Sequence, residues 1–265
     1  MKIASWNINS IKARLPNVLQ WLESAQPEVL LLQELKGISE NFPTSEMENL
    51  GYNCAINGQK AYNGVAILSK YPMDEINFGL PDYDQDQQAR YIEAWVRITD
   101  KTGLRIASIY APNGNPVDSE KFSYKIDWMD HLIDHSKTLL NKEEVVVLGG
   151  DYNVIPADED CYDPIAWQND ALTRPESRSR FRALLNLGYT EAWRSLNKET
   201  HVYSFWDYQA GAWHKDNGIR IDHFLLSPEA ACKLSDCNVE QATSSEMGAS
   251  VTSPNSFTSS SCGSQ

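Results

Sequence analysis

The sequence predicts an α/β fold. Residues 29–32 (Val-Leu-Leu-Leu) and 145–148 (Val-Val-Val-Leu) are short apolar runs of the kind found in strands buried on both faces. Between them lie segments with a helical apolar period: Leu15, Val18, Leu19 and Leu22, then Phe122, Ile126, Met129 and Ile133. A chain of 265 residues can bury a large core, and α/β or sandwich architectures of this size commonly form one domain.

Taken in order, residues 2–9 read as a first strand, with Asn7 and Asn9 on one face where it ends. A helix follows with Pro16 expected in its first turn. The strand over 29–34 finishes on Glu34, and a short helix near 45–50 stops at Gly51, a suitable C′ glycine. Strands are expected around 53–56, 64–69, 90–98 and 105–110, then the long helix and the central strand 145–148. That strand runs into Gly149-Gly150-Asp151-Tyr152-Asn153, so the aspartate and asparagine two positions apart share one face at its end. An isolated G-D-x-N would be read as an Asx turn. Here the pattern of a buried strand ending in an oxygen-bearing side chain recurs along the chain. A short basic helix over 177–187 ends at Gly188; residues 203–208 form an aromatic loop, 218–226 the last clear strand, and Pro228 opens a helix.

The domain is expected to span 1–240. Residues 241–265 hold nine serines and three threonines, with no Lys, Arg, His or Asp and no apolar period, which predicts a disordered tail. The formal charge is −13, from 23 basic and 36 acidic side chains, so any nucleic-acid contact needs a local basic patch. Arg174, Arg178, Arg180 and Arg182 concentrate positive charge as such a patch would, and a solvated helix face is an equal reading of each. The five cysteines (54, 161, 232, 237 and 262) are scattered and form no C-x-x-C pair, which argues against a disulfide framework or a zinc site. No apolar leader opens the sequence, and its longest apolar run is too short to cross a bilayer. A soluble, cytoplasmic monomer is the default expectation.

Asn7, Glu34, Asp151 with Asn153, and Asp222 all stand at ends of predicted strands. Oxygen and amide donors without His or Cys suit Mg²⁺ or Mn²⁺. Mg²⁺ retains waters and needs only one or two carboxylates beside a substrate phosphate, so the set points to metal-dependent phosphodiester hydrolysis.

Six motifs sharpen this: Trp6-Asn7-Ile8-Asn9, Leu32-Gln33-Glu34-Leu35-Lys36, Tyr62 through Ser69, Tyr110-Ala111-Pro112-Asn113-Gly114, Gly149 through Asn153, and Arg220-Ile221-Asp222. In this order, over roughly 1–238, they resemble the exonuclease III branch of the abasic (AP) endonuclease family. The resemblance implies a four-layer α/β sandwich, with two mixed sheets face to face, helices outside and the site at one rim. It also implies Mg²⁺-dependent cleavage of duplex DNA 5′ to abasic sites, with 3′→5′ exonuclease and 3′-phosphatase activities. By matching motif, Glu34 would hold the metal with Asn7, Asp151 and Asn153 beside it. Tyr110 would contact the phosphate, Asp151 would transfer a proton, Asn153 would orient the phosphate, and Asp222 would support a catalytic histidine.

That histidine is missing. The family closes with Ser-Asp-His, then Pro and a final strand, and no such motif occurs here. His223 adjoins Asp222, but neighbouring strand residues face opposite ways; His131 and His135 belong on a helix surface, and His201 and His214 lie in loops. Impaired activity is therefore expected. Arg90, Arg174 and Arg178 are candidate phosphate contacts, with Lys36 a further one, and Phe205 and Trp206 a candidate pocket or wedge for a flipped abasic sugar. Two alternatives stay open: a catalytically silent DNA-binding paralogue, and a superfamily phosphodiesterase acting on RNA or another phosphoester.

Overall fold

A computed structural model of the chain describes residues 1–207, 212–241 and 250–253. The first half runs β1 (Ile3–Asn7), α1 (Ile11–Ala25), β2 (Val29–Gln33), α2 (Thr44–Asn49), β3 (Asn53–Asn57), β4 (Val65–Ser69), β5 (Met73–Phe78), β6 (Tyr91–Arg97) and β7 (Gly103–Tyr110). Then come α3 (Glu120–Leu140), β8 (Val146–Asp151), α4 (Pro164–Trp167), α5 (Pro175–Asn186), β9 (Thr190–Glu191) and α6 (Ala192–Leu196). The described elements end with β10 (Phe205–Trp206), β11 (Gly218–Ile219), β12 (Asp222–Leu226), α7 (Pro228–Ala231), β13 (Asn238–Gln241) and β14 (Ser250–Ser253).

Two six-stranded mixed sheets result, in the orders β13-β14-β1-β2-β4-β3 and β5-β6-β7-β8-β12-β9. They face each other across one apolar layer. Ile3, Val29, Leu31 and Ile67 of the first sheet meet Ile92, Ile106, Val147 and Phe224 of the second, all at most 0% exposed. Outside the first sheet, Val18 and Leu22 of α1 and Met47 of α2 cover Ala4, Leu30, Leu32 and Leu68. Outside the second, Trp128, Met129 and Leu132 of α3 and Phe181 and Leu184 of α5 cover Ala107, Ile109 and Leu148. Helix, sheet, sheet, helix is the expected four-layer sandwich. Among the described residues, no helix is long and apolar enough to cross a membrane.

Each sheet has one parallel pair, β1 with β2 and β7 with β8. The C-terminal ends of these four strands reach the same rim, so residues distant in sequence converge there. At that rim β8 needs its glycines. Gly150 has φ +146°, and a Cβ there would lie 2.0 Å from the carbonyl oxygen of Ile109 on the neighbouring strand. Backbone offers no flexible end to move aside, so Gly150→Ala should destabilise by about 3–5 kcal/mol, beyond the usual range for a point change. A thermal melt checks this; an unchanged midpoint would mean that β7 and β8 separate more easily than their register suggests.

Several expectations need correction. Pro16 is the sixth residue of α1, not in its first turn; the N-cap is Ser10, whose hydroxyl accepts from the Ala13 N–H. The buried stripe of α3 is Lys125, Trp128, Met129, Leu132, Ser136 and Leu139, rotated from the expected one because a lysine lies on it. β5 escaped sequence reading because it is a largely exposed edge strand without apolar alternation. The strand expected over 218–226 divides into β11 and β12, and Phe205–Trp206 of the aromatic loop pairs with β11. Within 241–265, expected as disordered, Gln241 ends β13 and residues 250–253 form β14 between β13 and β1. β14 takes the edge of β1 that β2 leaves open, and Val251-Thr252 is β-branched sequence suited to a strand there. The rest of that stretch lies outside the described residues.

Candidate active site

Asn7 joins the two sheets. Its Nδ2 donates to Glu34 Oε1 at 2.9 Å and to Asp151 Oδ2 at 3.0 Å, so β1, β2 and β8 meet at one amide group. Its Oδ1 accepts from the Asn9 N–H at 3.1 Å, which fixes the direction of the amide. Tyr110 lies opposite Asp151 in the β7–β8 register, and its hydroxyl lies near enough to Glu34 to feel that carboxylate. Burial, with Glu34 and Asp151 close by, raises the Tyr110 phenol and keeps it protonated. Thus Asn7, Glu34, Tyr110 and Asp151 are brought together as the sequence suggested.

The turns that carry these groups are strained. Asn9, Glu34, Lys36, Asn63 and Asn153, all at this rim, have φ between +46° and +56°. Left-handed backbone at a non-glycine residue costs of order 1 kcal/mol or more and persists where the surroundings impose it, often at functional sites. A buried polar floor supports them: Gln33 Nε2 donates to Ser108 Oγ at 3.0 Å, and Ser108 Oγ donates to the Leu32 carbonyl at 3.0 Å, across the sheets.

Asp151 is 3% exposed. Burial pushes its carboxyl up to about 7, and the charge of Glu34 adds to this; the Asn153 N–H at 2.8 Å, the Asn7 amide and the Lys125 charge oppose the rise. A carboxyl poised there can accept or release a proton at neutral pH. Asp222 sits directly across from Asp151 in the antiparallel β12–β8 register, and its Oδ2 accepts from Ser204 Oγ at 2.7 Å.

The donor set fits a hard divalent cation. Glu34 and Asp151 present carboxylate oxygens to a common space, and one or two carboxylates beside a phosphate are what Mg²⁺ takes. The Lys36 ammonium lies 2.9 Å from Glu34 Oε2, so a cation is already held against that carboxylate. Asn7 turns its Nδ2, not its oxygen, toward the carboxylates and so orients them.

Asn153 departs from expectation. Its Oδ1 accepts from Asn113 Nδ2 at 3.2 Å and its Nδ2 donates to the Ala111 carbonyl at 2.9 Å. Both ends of the amide are thus committed to the loop after β7, because the two loops close on each other. Arg90 lies over the Tyr110 ring at 5.0 Å and the Tyr124 ring at 5.8 Å, lining a cleft of about 580 Å³ with Asn63, Asn113 and Lys121. Arg178 is held by the Ile155 carbonyl and Asp158, both at 2.9 Å, and Arg174 lies 3.5 Å from Glu176. Arg90 also donates to Gln88 Oε1 at 2.9 Å and to the Tyr110 carbonyl at 3.3 Å, but among the described residues it pairs with no acid, whereas Arg174 and Arg178 do. Trp206 is 2% exposed, donates to Asp216 and stacks edge-on with Trp213, so it holds the loop; Phe205 is half-buried and more accessible. His223 is fully buried against Tyr152 and Phe181, with Val154, Glu191 and Arg220 as polar partners, on the face away from Asp222. It does not replace the missing histidine.

Residues 4–244 match the model of the endonuclease/exonuclease/phosphatase family. The chain belongs to that family. Exodeoxyribonuclease III of Haemophilus influenzae is 32% identical over 247 residues, covering 90% of this chain and 92% of that protein. The DNA repair nuclease APEX1 of Danio rerio is 28% identical over 250 residues, covering 90% and 77%. The 3′ phosphatase NExo from Neisseria, in a structure with product DNA hairpin, superposes with a TM-score of 0.90 at 37% identity, covering 96% of this chain and 98% of that one. An AP endonuclease from Archaeoglobus fulgidus superposes with a TM-score of 0.87 at 30% identity, covering 95% and 98%. Divalent-metal dependence is a property of this family. As a member, the chain is a hydrolytic enzyme of the exodeoxyribonuclease III and AP endonuclease type, a DNA repair nuclease.

Lys125, Ser204 and Gln33 were not singled out from sequence. Only Gln33, the polar residue that follows three leucines and precedes Glu34, stood in a motif that could have flagged it.

Proposed function

We propose that the chain hydrolyses phosphodiester bonds in duplex DNA at abasic sites and at 3′ ends, as a monomer that uses Mg²⁺, or Mn²⁺ in its place. The observation that carries this reading is the Asn7 amide spanning Glu34 and Asp151 across two sheets, which leaves two carboxylates on one space at the rim. Glu34 and Asp151 would hold the metal, which when bound polarises the phosphoryl oxygen and offsets its developing charge. Tyr110, kept neutral and protonated, donates to the phosphate, and Arg90 adds positive charge beside it. Asp151 moves the proton at the attacking water or the leaving oxygen. Asn153 acts at one remove by fixing the loops. Asp222, held by Ser204, stands where the family's histidine would be oriented.

A purified chain incubated with a duplex bearing one abasic analogue should nick it in Mg²⁺, stop in EDTA and resume when Mg²⁺ or Mn²⁺ is restored. The missing histidine should hold the rate about 10²–10⁴ below that of a complete site. Retention of the duplex without nicking at any metal concentration favours the silent DNA-binding reading, to which the missing Ser-Asp-His lends support. Faster hydrolysis of RNA or a small phosphoester would overturn the choice of substrate.

A further inference from the structure

Lys125 enters the reading above only through the charge that opposes the rise at Asp151, and burial pushes its own amine down to about 7. It projects from α3 and is 0% exposed. Its Nζ donates to the Asn113 carbonyl at 3.1 Å and the Asn153 carbonyl at 2.5 Å. Removing an ammonium from water costs several kcal/mol even after relaxation, and a methionine of similar length would pack without that cost. The two carbonyls belong to the loops after β7 and β8. Tyr110 leads into the first loop, and Asp151 leads into the second. The Asn153 N–H that orients Asp151 Oδ1 stands next to the carbonyl that Lys125 holds. The first loop closes tightly over the lysine: Gly114 has φ +89°, and a Cβ there would lie 2.6 Å from Lys125 Cδ.

We propose that Lys125 is a positioning residue, a buried amino group whose N–H donors clamp the two main-chain loops at the separation in which Tyr110, Asp151 and Asn153 face one phosphate. It touches neither substrate nor metal. Lys125 holds the main chain at Asn113 and Asn153, while the Asn153 side-chain amide ties the same stretch together through the Ala111 carbonyl and the Asn113 side chain. Only the effect on rate rests on the proposed nuclease activity.

The test compares Lys125→Met, which removes charge and donors at similar length, with Lys125→Arg, which keeps both. Peptide-resolved hydrogen exchange of the metal-free protein is measured first, since it needs no activity. Met should speed exchange by at least about tenfold at the amides of Ala111, Tyr152, Asn153 and Ile155, and leave β1, β2 and β6 as in the parent. Arg should restore most of that protection. Single-turnover nicking, normalised to folded protein, should fall about 10–100-fold in Met with DNA affinity within about twofold of the parent, and should recover in Arg. Parental protection in both loops, or acceleration spread evenly over the sheets, would overturn the clamp. So would a loss that appears as weaker DNA binding. If Met does not fold, Lys125→Gln takes its place with the same outcomes. A parent that does not nick DNA refutes the nuclease reading and leaves the exchange result to judge the lysine.

Discussion

Asp151→Asn should lower the single-turnover rate of abasic-site nicking by about 10²–10⁴-fold, the span expected when a group that moves a proton is lost. The substitution is nearly isosteric, yet it conflicts with both partners of the carboxylate. Oδ1 accepts from the Asn153 N–H and Oδ2 from Asn7 Nδ2, so whichever way the new amide turns, an NH₂ faces a donor. That mismatch costs about 1–3 kcal/mol of stability, partly offset because one of two adjacent carboxylates has become neutral. The melt should therefore drop modestly while the rate collapses, and DNA affinity measured in EDTA should hold or rise slightly as negative charge leaves the cleft. The pH profile gives a second reading. In the parent, the rate should fall on the acid side as Asp151 takes up a proton, at or below about 7, because a bound cation draws a neighbouring carboxyl downward. In Asp151→Asn that limb should disappear. A variant that kept the parental rate would remove Asp151 from the chemistry and leave the Asn7 bridge as architecture only.

What the sequence made legible was local, and what it hid was long-range. Asn7, Glu34 and Asp151 could be found because each ends a buried strand, a pattern visible within ten residues. That Asn7 would link the other two depends on a contact spanning 144 positions, which no local period encodes. Lys125 was hidden by its own chemistry: a lysine on an apolar stripe shifts the inferred stripe, so the face of α3 was read with the wrong rotation. The arginines of α5 looked like a basic patch, but Arg178 meets Asp158 and Arg180 meets Asp130, acids supplied by other elements. Among the described aromatic residues of 203–207 composition could not say which rings turn inward; Tyr203 and Trp206 do, and the Trp206 indole N–H finds Asp216. The exclusion of His223 did follow from strand alternation alone, and the structure buries it on the far face.

The second large effect concerns the histidine. β14 lies beside β1, the strand that carries Asn7, with Thr252 opposite Ser5. Asp222, on the facing sheet, is already held in place by Ser204 at 2.7 Å. A carboxylate so fixed serves an imidazole by setting its tautomer and stabilising its charged form. The family places Ser-Asp-His and a proline directly ahead of its last strand, and in this sequence Ala249 is followed by Ser250 and then Val251. Glu246→Ser, Met247→Asp, Gly248→His and Ser250→Pro together would write Ser-Asp-His-Ala-Pro ahead of Val251. The proline falls on the first residue of β14, where a strand tolerates one. This version should nick abasic duplex about 10²–10⁴-fold faster than the natural sequence, the contribution of one proton-transferring or phosphate-orienting group. The same chain with Gly248 retained should gain little, which separates the imidazole from any improvement in strand pairing. Adding Asp222→Asn to the four changes should forfeit most of the gain, because the imidazole would lose the partner that orients it. Equal rates with and without the new histidine would show that this chain has reorganised its chemistry around Tyr110 and Asp151. A gain that survives Asp222→Asn would place the histidine's support elsewhere than on β12.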